Sequence, residues 1–449
     1  MNIVFLTPGT GSYHCGVCMR DNALAKELIR QGHRAVMLPM YLPLTLDESA
    51  ASPETPIFFG GVSTYLREKW PLLRRMPRWL DRLLSHRALL RLVAGKAAAK
   101  TGGPDVAELT LSMLRGEEGN QAAELEQLIA WLREHGKPDA VWLSTALQAG
   151  LARRIKAALG VPVIGFLQGE DVFLDGLGEP WSAQAWALLA GRMRDADLWV
   201  APSRYFADLM AKRLGWSAEE SAHRIRIVPN GIPLDGYRAE FKIKNSKFKI
   251  VPTIGYLARF VSGKGLGLLV EAFIALKKRG RFPNARLRCA GSMTESDARY
   301  VETLKARLAA AGVAGDVEWL PNVSRGQKIA FLESLTVFSV PVTMSEAFGL
   351  YVIEALAAGV PVVQPMASAF PEIVAATGGG VLFKMGATET ESAESLADML
   401  ESLLSDPLIA QTLGGLGRDA VRREYTIARL AERLVALTQG LKGESESGK

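Results

Sequence analysis

A short apolar run, a turn and a long amphipathic stretch recur along this chain. Asn2–Leu6 opens the series as a strand, and Val17–Gln31 follows with helical spacing and stops at Gly32. Ala35–Leu38, Ala140–Leu143, Pro162–Phe166, Leu198–Val200 and Ile225–Val228 read as further strands. Leu147–Ala158 and Tyr205–Leu214 are among the helices between them. The Lys-rich stretch 241–249, around Asn245-Ser246, interrupts the rhythm. Thr253–Leu257 then restarts it as a new first strand. Arg286–Cys289, Val317–Leu320, Val337–Val340 and Val360–Val363 continue it, with helices at Gly267–Lys278, Ser296–Ala311 and Leu350–Ala358. Strands alternating with helices imply parallel sheets covered on both faces. The fold class is therefore α/β, with two Rossmann-like, doubly wound units and a cleft between them. A last helix, about Ile427–Leu437, precedes a polar tail expected to be disordered.

Composition narrows the class. The 449 residues are 48% hydrophobic and 22% charged, which suits a globular chain with large cores and excludes a disordered or collagen-like one. No run approaches the roughly 18 apolar residues of a membrane helix. The start has no basic segment and reads as a buried strand, not a signal peptide. Three cysteines do not make a disulfide framework, so a cytoplasmic location is expected. Net charge is only +6, yet it is concentrated: between Tyr65 and Lys100, ten Lys and Arg stand against Glu68 and Asp81. Leu66, Trp70, Leu73, Met76, Leu80, Leu83 and Leu84 recur there at roughly helical spacing, beside Arg74, Arg75 and Arg78. Such a face either packs on the first sheet or lies on an anionic membrane, making the protein membrane-associated. No nucleic-acid motif accompanies the charge, so no nucleic-acid partner is expected.

In open parallel sheets, ligands bind outside the carboxyl ends of the strands. The loop after the first strand, Pro8–Gly16, holds Gly9-Thr10-Gly11, but His14 stands where a dinucleotide site needs a third glycine. No acid closes the second strand. Cys15 and Cys18 lack the second pair that structural zinc requires. Asp195 and Asp197 sit at a helix end, where Asp is ordinarily a turn residue. The five histidines lack metal-ligand spacing, so no metal and no resident cofactor are expected.

The strongest constellation is in the second unit. Glu346 leaves a strand in Val340–Leu350, and Glu354 follows eight residues later, about one turn into a helix. The N–H groups of Phe348, Gly349 and Leu350 stand at that helix's N-terminus and suit a phosphate. Arg259 and Lys264 share a loop after the unit's first strand and can reach one anion from two sides. Two carboxylates for hydroxyls and two cations for phosphates describe a nucleoside diphosphate carrying a sugar.

These motifs resemble the retaining glycosyltransferases of family 4, which have the GT-B fold. Ser345–Val363 matches the family's paired-Glu motif, with Ala347 for Gly. Ala258–Gly265 matches its Arg–Lys loop, with Ala258 for the leading Gly. Cys15-Gly16, Leu24-Ala25 and Gly32-His33 match its opening pattern, and Pro229–Ile232 its Asn-Gly turn. The resemblance implies an acceptor domain at 1–245, a nucleotide-sugar domain at 246–423, a helix about 424–440 packing back on the first domain, and a tail at 441–449. It implies that Glu354 holds ribose, Arg259 and Lys264 the diphosphate, and Glu346 the donor sugar. Gly16 would let the first domain close on the phosphates. Gln168, Glu170 and Asp171 would lie on the acceptor side. Gln168 stands where many members carry His, and Ser368-Ala369 where a Gly-Gly pair is usual. The implied activity is retaining, metal-independent transfer of a hexose from a nucleoside-diphosphate sugar to a hydroxyl acceptor. The alternatives are a nucleotide-sugar epimerase on the same fold and a non-catalytic nucleotide-sugar binder.

Overall fold

The structure, a computed structural model, describes residues 1–9, 16–44, 46, 48–52, 55–59, 104–238 and 251–447. The basic segment 65–100 and the Lys-rich stretch 241–249 lie outside the described residues. The chain forms two compact units, Met1–Pro229 with Ile427–Lys449, and Asn230–Thr426. The first unit thus ends at Pro229, ahead of the expected boundary at 245.

The first unit carries β1 (Asn2–Thr7), β2 (Arg34–Pro39), β3 (Ala140–Leu143), β4 (Val163–Phe166), β5 (Leu198–Ala201) and β6 (Ile225–Ile227). They form one sheet in the order β2-β1-β3-β4-β5-β6, with every pair parallel. All four residues of β3, β4 and β5 are buried, as the unbroken apolar runs of a sheet covered on both faces require. Phe5, Trp142 and Phe166, from three neighbouring strands, pack edge to face at 5.0 and 5.8 Å.

The helix Ile427–Ser447 belongs to this unit although it lies at the far end of the chain. Ile427, Leu430, Ala431 and Leu434, spaced 3, 1 and 3 residues apart, form one helical stripe. The stripe is buried in the cluster that holds Ile3, Phe5, Leu24 and Trp142. Lys442 Nζ donates to Asp139 Oδ1 at 2.5 Å. Where a disordered tail was expected at 441–449, the helix continues through Ser447; residues 448 and 449 lie outside the described residues.

The second unit carries β7 (Thr253–Leu257), β8 (Arg286–Gly291), β9 (Val317–Pro321), β10 (Val337–Phe338), β11 (Val362–Pro365) and β12 (Gly380–Phe383). Their order is β12-β11-β10-β7-β8-β9, again all parallel. The chain winds outward in both directions from β7, so strand order reverses between β7 and β10. Ligands collect at such a switch point. The corresponding reversal in the first sheet lies between β1 and β3.

Two local expectations changed. The segment read as one helix over Leu147–Ala158 is a 3-10 turn, Ala146–Leu151, followed by an α-helix, Ala152–Leu159. Gly150 is pressed so closely on another helix that a Cβ would lie 2.3 Å from the Met113 carbonyl oxygen. The strand β12 went unread because it begins in a run of three glycines, Gly378–Gly380, and is only partly buried.

Candidate active site

The loops that follow β7 and β10 are packed back to back. Gly265 ends the first of them at φ +73°, and a Cβ there would lie 1.8 Å from the Pro341 carbonyl oxygen. Only glycine permits that approach. The Thr343 N–H donates to the Gly263 carbonyl at 3.0 Å, locking the loops together. This brings Lys264 onto Glu346, 82 residues away in sequence: Nζ donates to Oε2 at 2.5 Å.

Glu346 is held at its backbone as well. Its N–H donates to Ser368 Oγ at 3.2 Å, and its carbonyl accepts from the Ala369 N–H at 3.4 Å. Ser368 has φ +58°, in the left-handed region that favours glycine. That conformation accounts for a Gly at this position in the resembling motif. Here the serine hydroxyl exchanges backbone ease for a bond to Glu346.

Glu346 is followed by the helix Leu350–Ala357, whose N-cap is Gly349 at φ +86°. The first N–H groups of a helix lie outside its own ladder, so those at Gly349 and Leu350 are oriented for an acceptor. Phe348 is buried, its ring 6.2 Å from that of Tyr425. Glu354 projects from the same helix, and its Oε1 accepts from Lys328 Nζ at 2.7 Å. Both side chains remain partly exposed, at 17% and 14%.

Arg259 stands two residues past the end of β7. Its guanidinium grips Asp297 in a fork, Nε to Oδ2 at 3.2 Å and Nη2 to Oδ1 at 3.1 Å. Asp297 also accepts from the N–H and hydroxyl of Thr294, completing a capping box on the helix Glu295–Ala310. Burial pushes the Asp297 carboxyl up, but the bonds from Thr294 and Arg259 outweigh it and hold it below the usual aspartate value. The structure thus joins Lys264 to Glu346 directly, and gives Arg259 and Glu354 partners that spacing alone did not reveal, Asp297 and Lys328. Lys328 sits in the helix Arg325–Glu333, after a Ser324–Gln327 capping box. That signature locates a helix start and says nothing about which carboxylate its lysine meets.

In the first unit, Gly16 opens the helix Gly16–Arg30; residues 10–15 before it lie outside the described residues. Beneath it, Asp21 is fully buried and accepts from Arg20 Nε (2.9 Å), Thr7 Oγ1 (3.3 Å) and the Ser144 hydroxyl. Arg20 lies over the Phe166 ring at 4.6 Å. Glu170 is likewise buried, and both carboxylate oxygens are taken. Oε1 accepts from Thr145 Oγ1 (2.7 Å) and the Ala146 N–H (2.9 Å). Oε2 accepts from the N–H groups of Gln168 (2.8 Å) and Gly169 (3.1 Å). Burial raises its pKa above the ordinary glutamate value against the pull of those bonds. Glu170 therefore braces the loops after β3 and β4 and offers no free oxygen to a ligand. Asp171 is buried beside it, with no partner for Oδ1 among the described residues. Gln168 is partly buried, its backbone committed to Glu170.

Asp195 lies 3.5 Å from Arg192, while Asp197 accepts from Lys156 Nζ (2.7 Å) and the Val163 N–H (2.8 Å). Among the described residues no group of three or more His, Cys, Asp or Glu could hold a metal ion. Cys18 and Cys289 are both buried, and burial raises the Cys289 thiol pKa.

Comparison with known proteins bears on the family and the fold. Residues 238–419 match the family model for glycosyl transferases group 1, and residues 94–235 that for Glycosyltransferase Family 4. A GDP-mannose-dependent monoacylated alpha-(1-6)-phosphatidylinositol monomannoside mannosyltransferase of Corynebacterium glutamicum is 26% identical over 324 residues, 67% of this chain and 76% of that protein. Phosphatidyl-myo-inositol mannosyltransferases of mycobacteria align over a little more than half their length, 57% in Mycobacterium tuberculosis. Among solved structures, sucrose-phosphate synthase from Thermosynechococcus elongatus superposes with a TM-score of 0.69 at 16% identity, over 99% of this chain and 100% of that one. HepE from Anabaena, in complex with UDP-glucose, superposes at 0.63 and 16% identity, over 98% of this chain and 100% of that one. With the two family models lying end to end over most of the chain and the fold shared with these structures, the chain belongs to the family 4 glycosyltransferases of GT-B fold.

Proposed function

We propose that this glycosyltransferase moves a hexosyl group, with retention, from a nucleoside-diphosphate sugar to a hydroxyl acceptor. One observation carries this reading: Lys264 and Glu346 meet at the switch point between β7 and β10, with Glu354 one turn inside the helix that follows. A switch point supplied with a cation, a helix N-terminus and two carboxylates matches a diphosphate flanked by a ribose and a sugar.

In this reading Glu354 exchanges Lys328 for the ribose hydroxyls. Lys264, Arg259 and the N–H groups of Phe348, Gly349 and Leu350 hold the diphosphate. Glu346 accepts from hydroxyls of the sugar. As the C1–O bond breaks, positive charge spreads over C1 and the ring oxygen, while negative charge grows on the departing diphosphate. Lys264 and Arg259 gain most at that moment, so they lower the barrier and do not merely bind. No metal is needed to neutralise the leaving group, and no resident cofactor is involved. Activity is expected to survive EDTA; its loss, with recovery on adding manganese, would return Asp195 and Asp197 to consideration. A phosphate oxygen of the donor is the proposed recipient of the acceptor proton.

The acceptor is proposed to lie against the first unit, near Gln168 and Asp171. The Corynebacterium relative is named for a phosphatidylinositol monomannoside acceptor, which favours a lipid-borne hydroxyl here too. No helix among the described residues is long and apolar enough to cross a membrane. The basic segment 65–100 is proposed to bring a cytoplasmic enzyme to an anionic bilayer, each Lys or Arg adding about 1 kcal/mol near the surface. Co-sedimentation with anionic but not neutral vesicles, weakening with salt, is the expected result.

The deciding experiment is a thermal-shift screen of nucleotide sugars followed by a transfer assay. A donor at 100 times its Kd should stabilise the protein by about 2.7 kcal/mol. Free nucleoside diphosphate should then appear only when an acceptor is supplied. Glu354→Ala should weaken donor binding about ten- to a hundredfold, through loss of a charge-assisted bond worth about 1.5–3 kcal/mol. A Glu354→Ala variant that binds donor like the parent would overturn the site assignment.

A further inference from the structure

The Glu346 carboxylate is held on one side only. Oε2 accepts from Lys264 Nζ at 2.5 Å and from the Tyr351 hydroxyl at 2.8 Å. Among the described residues nothing donates to Oε1, and the side chain remains 14% exposed. Lys264 Nζ also lies 5.9 Å from the centre of the Tyr351 ring, so ammonium, carboxylate and phenol form one closed cluster.

The two donors differ in kind. Lys264 is a mobile charge on a four-carbon stem, drawn toward any diphosphate that arrives. Tyr351 is fixed. It is the second residue of the helix Leu350–Ala357, and the left-handed turn at Gly349 folds the chain back so that residues 351 and 346 meet. Its ring packs near Phe338 and Phe370, with centroids at 6.3 and 6.4 Å. A Cβ at Gly349 would touch that ring at 3.4 Å, so the turn and the tyrosine fit one another. Burial and then the Glu346 charge push the phenol pKa well above its usual value, which keeps the hydroxyl a neutral donor.

We propose that Tyr351 is a positioning residue for the donor sugar: its hydroxyl holds Glu346 Oε2, and so presents Oε1 to the sugar hydroxyls, while Lys264 turns its charge to the diphosphate. This inference rests on the donor-site reading above. It separates two properties that the pairing of Lys264 with Glu346 would otherwise merge. Sugar recognition should depend on Tyr351, and diphosphate recognition should not.

The test uses the full chain and its Tyr351→Phe variant, with two ligand pairs, GDP with GDP-mannose and UDP with UDP-glucose. Calorimetric titration identifies the pair that the parent binds. In that pair the variant should hold the free nucleoside diphosphate within about twofold of the parent. It should bind the nucleotide sugar about tenfold more weakly, the effect of losing one hydrogen bond to a charged group. Equal weakening of both ligands, or of neither, overturns the proposal. A double-mutant cycle with Glu346→Gln gives a second readout. If Tyr351 acts through Glu346, Tyr351→Phe should add little to the loss already present in Glu346→Gln, whereas fully additive losses overturn it. If the parent binds neither pair, nor any other nucleotide sugar in the screen, the donor-site reading fails first and takes this inference with it.

Discussion

Glu170 and Glu346 stand in comparable places, each beyond the carboxyl end of a strand in a parallel sheet, Glu170 as the first residue of a short helix after β4 and Glu346 in the loop after β10. Their surroundings are opposite. Glu170 is buried, and its four donors are a threonine hydroxyl and three backbone N–H groups that cannot move away. Glu346 is partly exposed, and its two donors are side chains crowded onto one oxygen. A carboxylate saturated by backbone is a structural brace, because any ligand would have to displace bonds that the fold itself requires. A carboxylate held by a lysine can change partners at little cost to the fold. The two units share an architecture, and these two residues show a fixed carboxylate in the first and an exchangeable one in the second.

The largest effect should come from breaking the brace. Glu170→Ala would leave several buried donors without an acceptor, each costing about 1–3 kcal/mol, so a loss of about 3 kcal/mol or more is expected. Denaturant unfolding followed by tryptophan fluorescence would show it, since Trp142 and Trp199 are fully buried in the first sheet. Glu346→Gln tests the other side. Its unfolding free energy should fall by about 1 kcal/mol, well short of the loss in Glu170→Ala, because the amide oxygen can still accept from Tyr351 and Lys264 stays partly exposed. Transfer should nevertheless fall about a hundredfold, near the upper worth of a charged hydrogen bond. If Glu346→Gln destabilises the protein as strongly as Glu170→Ala, both carboxylates are structural braces.

Acidification sharpens the contrast further. The Asp297 carboxyl is depressed in the folded chain. Its stabilising contribution is therefore fully present above the unfolded value of about 4, and is lost as pH falls through the depressed folded value. Glu170 is raised in the folded chain, so the folded state takes up that proton first and folding gains from it as pH falls. Asp297→Asn should thus flatten the acid-side decline of the unfolding midpoint below about pH 4, and Glu170→Gln should not. The smallest effect is expected at Ser368→Gly. Relief of the left-handed conformation, about 1 kcal/mol, is partly offset by loss of the bond from the Glu346 N–H. A net gain of about 0.5 kcal/mol in thermal unfolding is expected.

Much of the fold was legible because the buried strands leave little ambiguity. Runs such as Ala140–Leu143 and Leu198–Val200, bounded by turns and amphipathic stretches, fit only a sheet covered on both faces. The C-terminal helix could be read from its stripe, and its home in the first unit is fixed by Ile427, Leu430, Ala431 and Leu434 meeting that unit's core. Its length could not be read, because the polar residues after Leu441 match an exposed helix as well as a tail. The paired glutamates and the Arg–Lys loop stood out by type and spacing. Glu170 did not stand out as a brace: spacing shows that an acid follows a strand, not how many backbone donors will converge on it.

By itself, then, the sequence determined which segments are strands and helices, that they alternate in two series, and which charged residues lie in loops at the strand ends. Those properties follow from local periodicity and from the chain's own order. The tertiary structure alone decided who meets whom. Lys264 reaches Glu346 because Gly265 lets two loops touch; Arg259 finds Asp297, and Glu354 finds Lys328, across separate elements. Such contacts join residues 26 to 82 positions apart, and no local pattern encodes them. They exist only once strand order around β7 and β10 is set and the loops above those strands are pressed together.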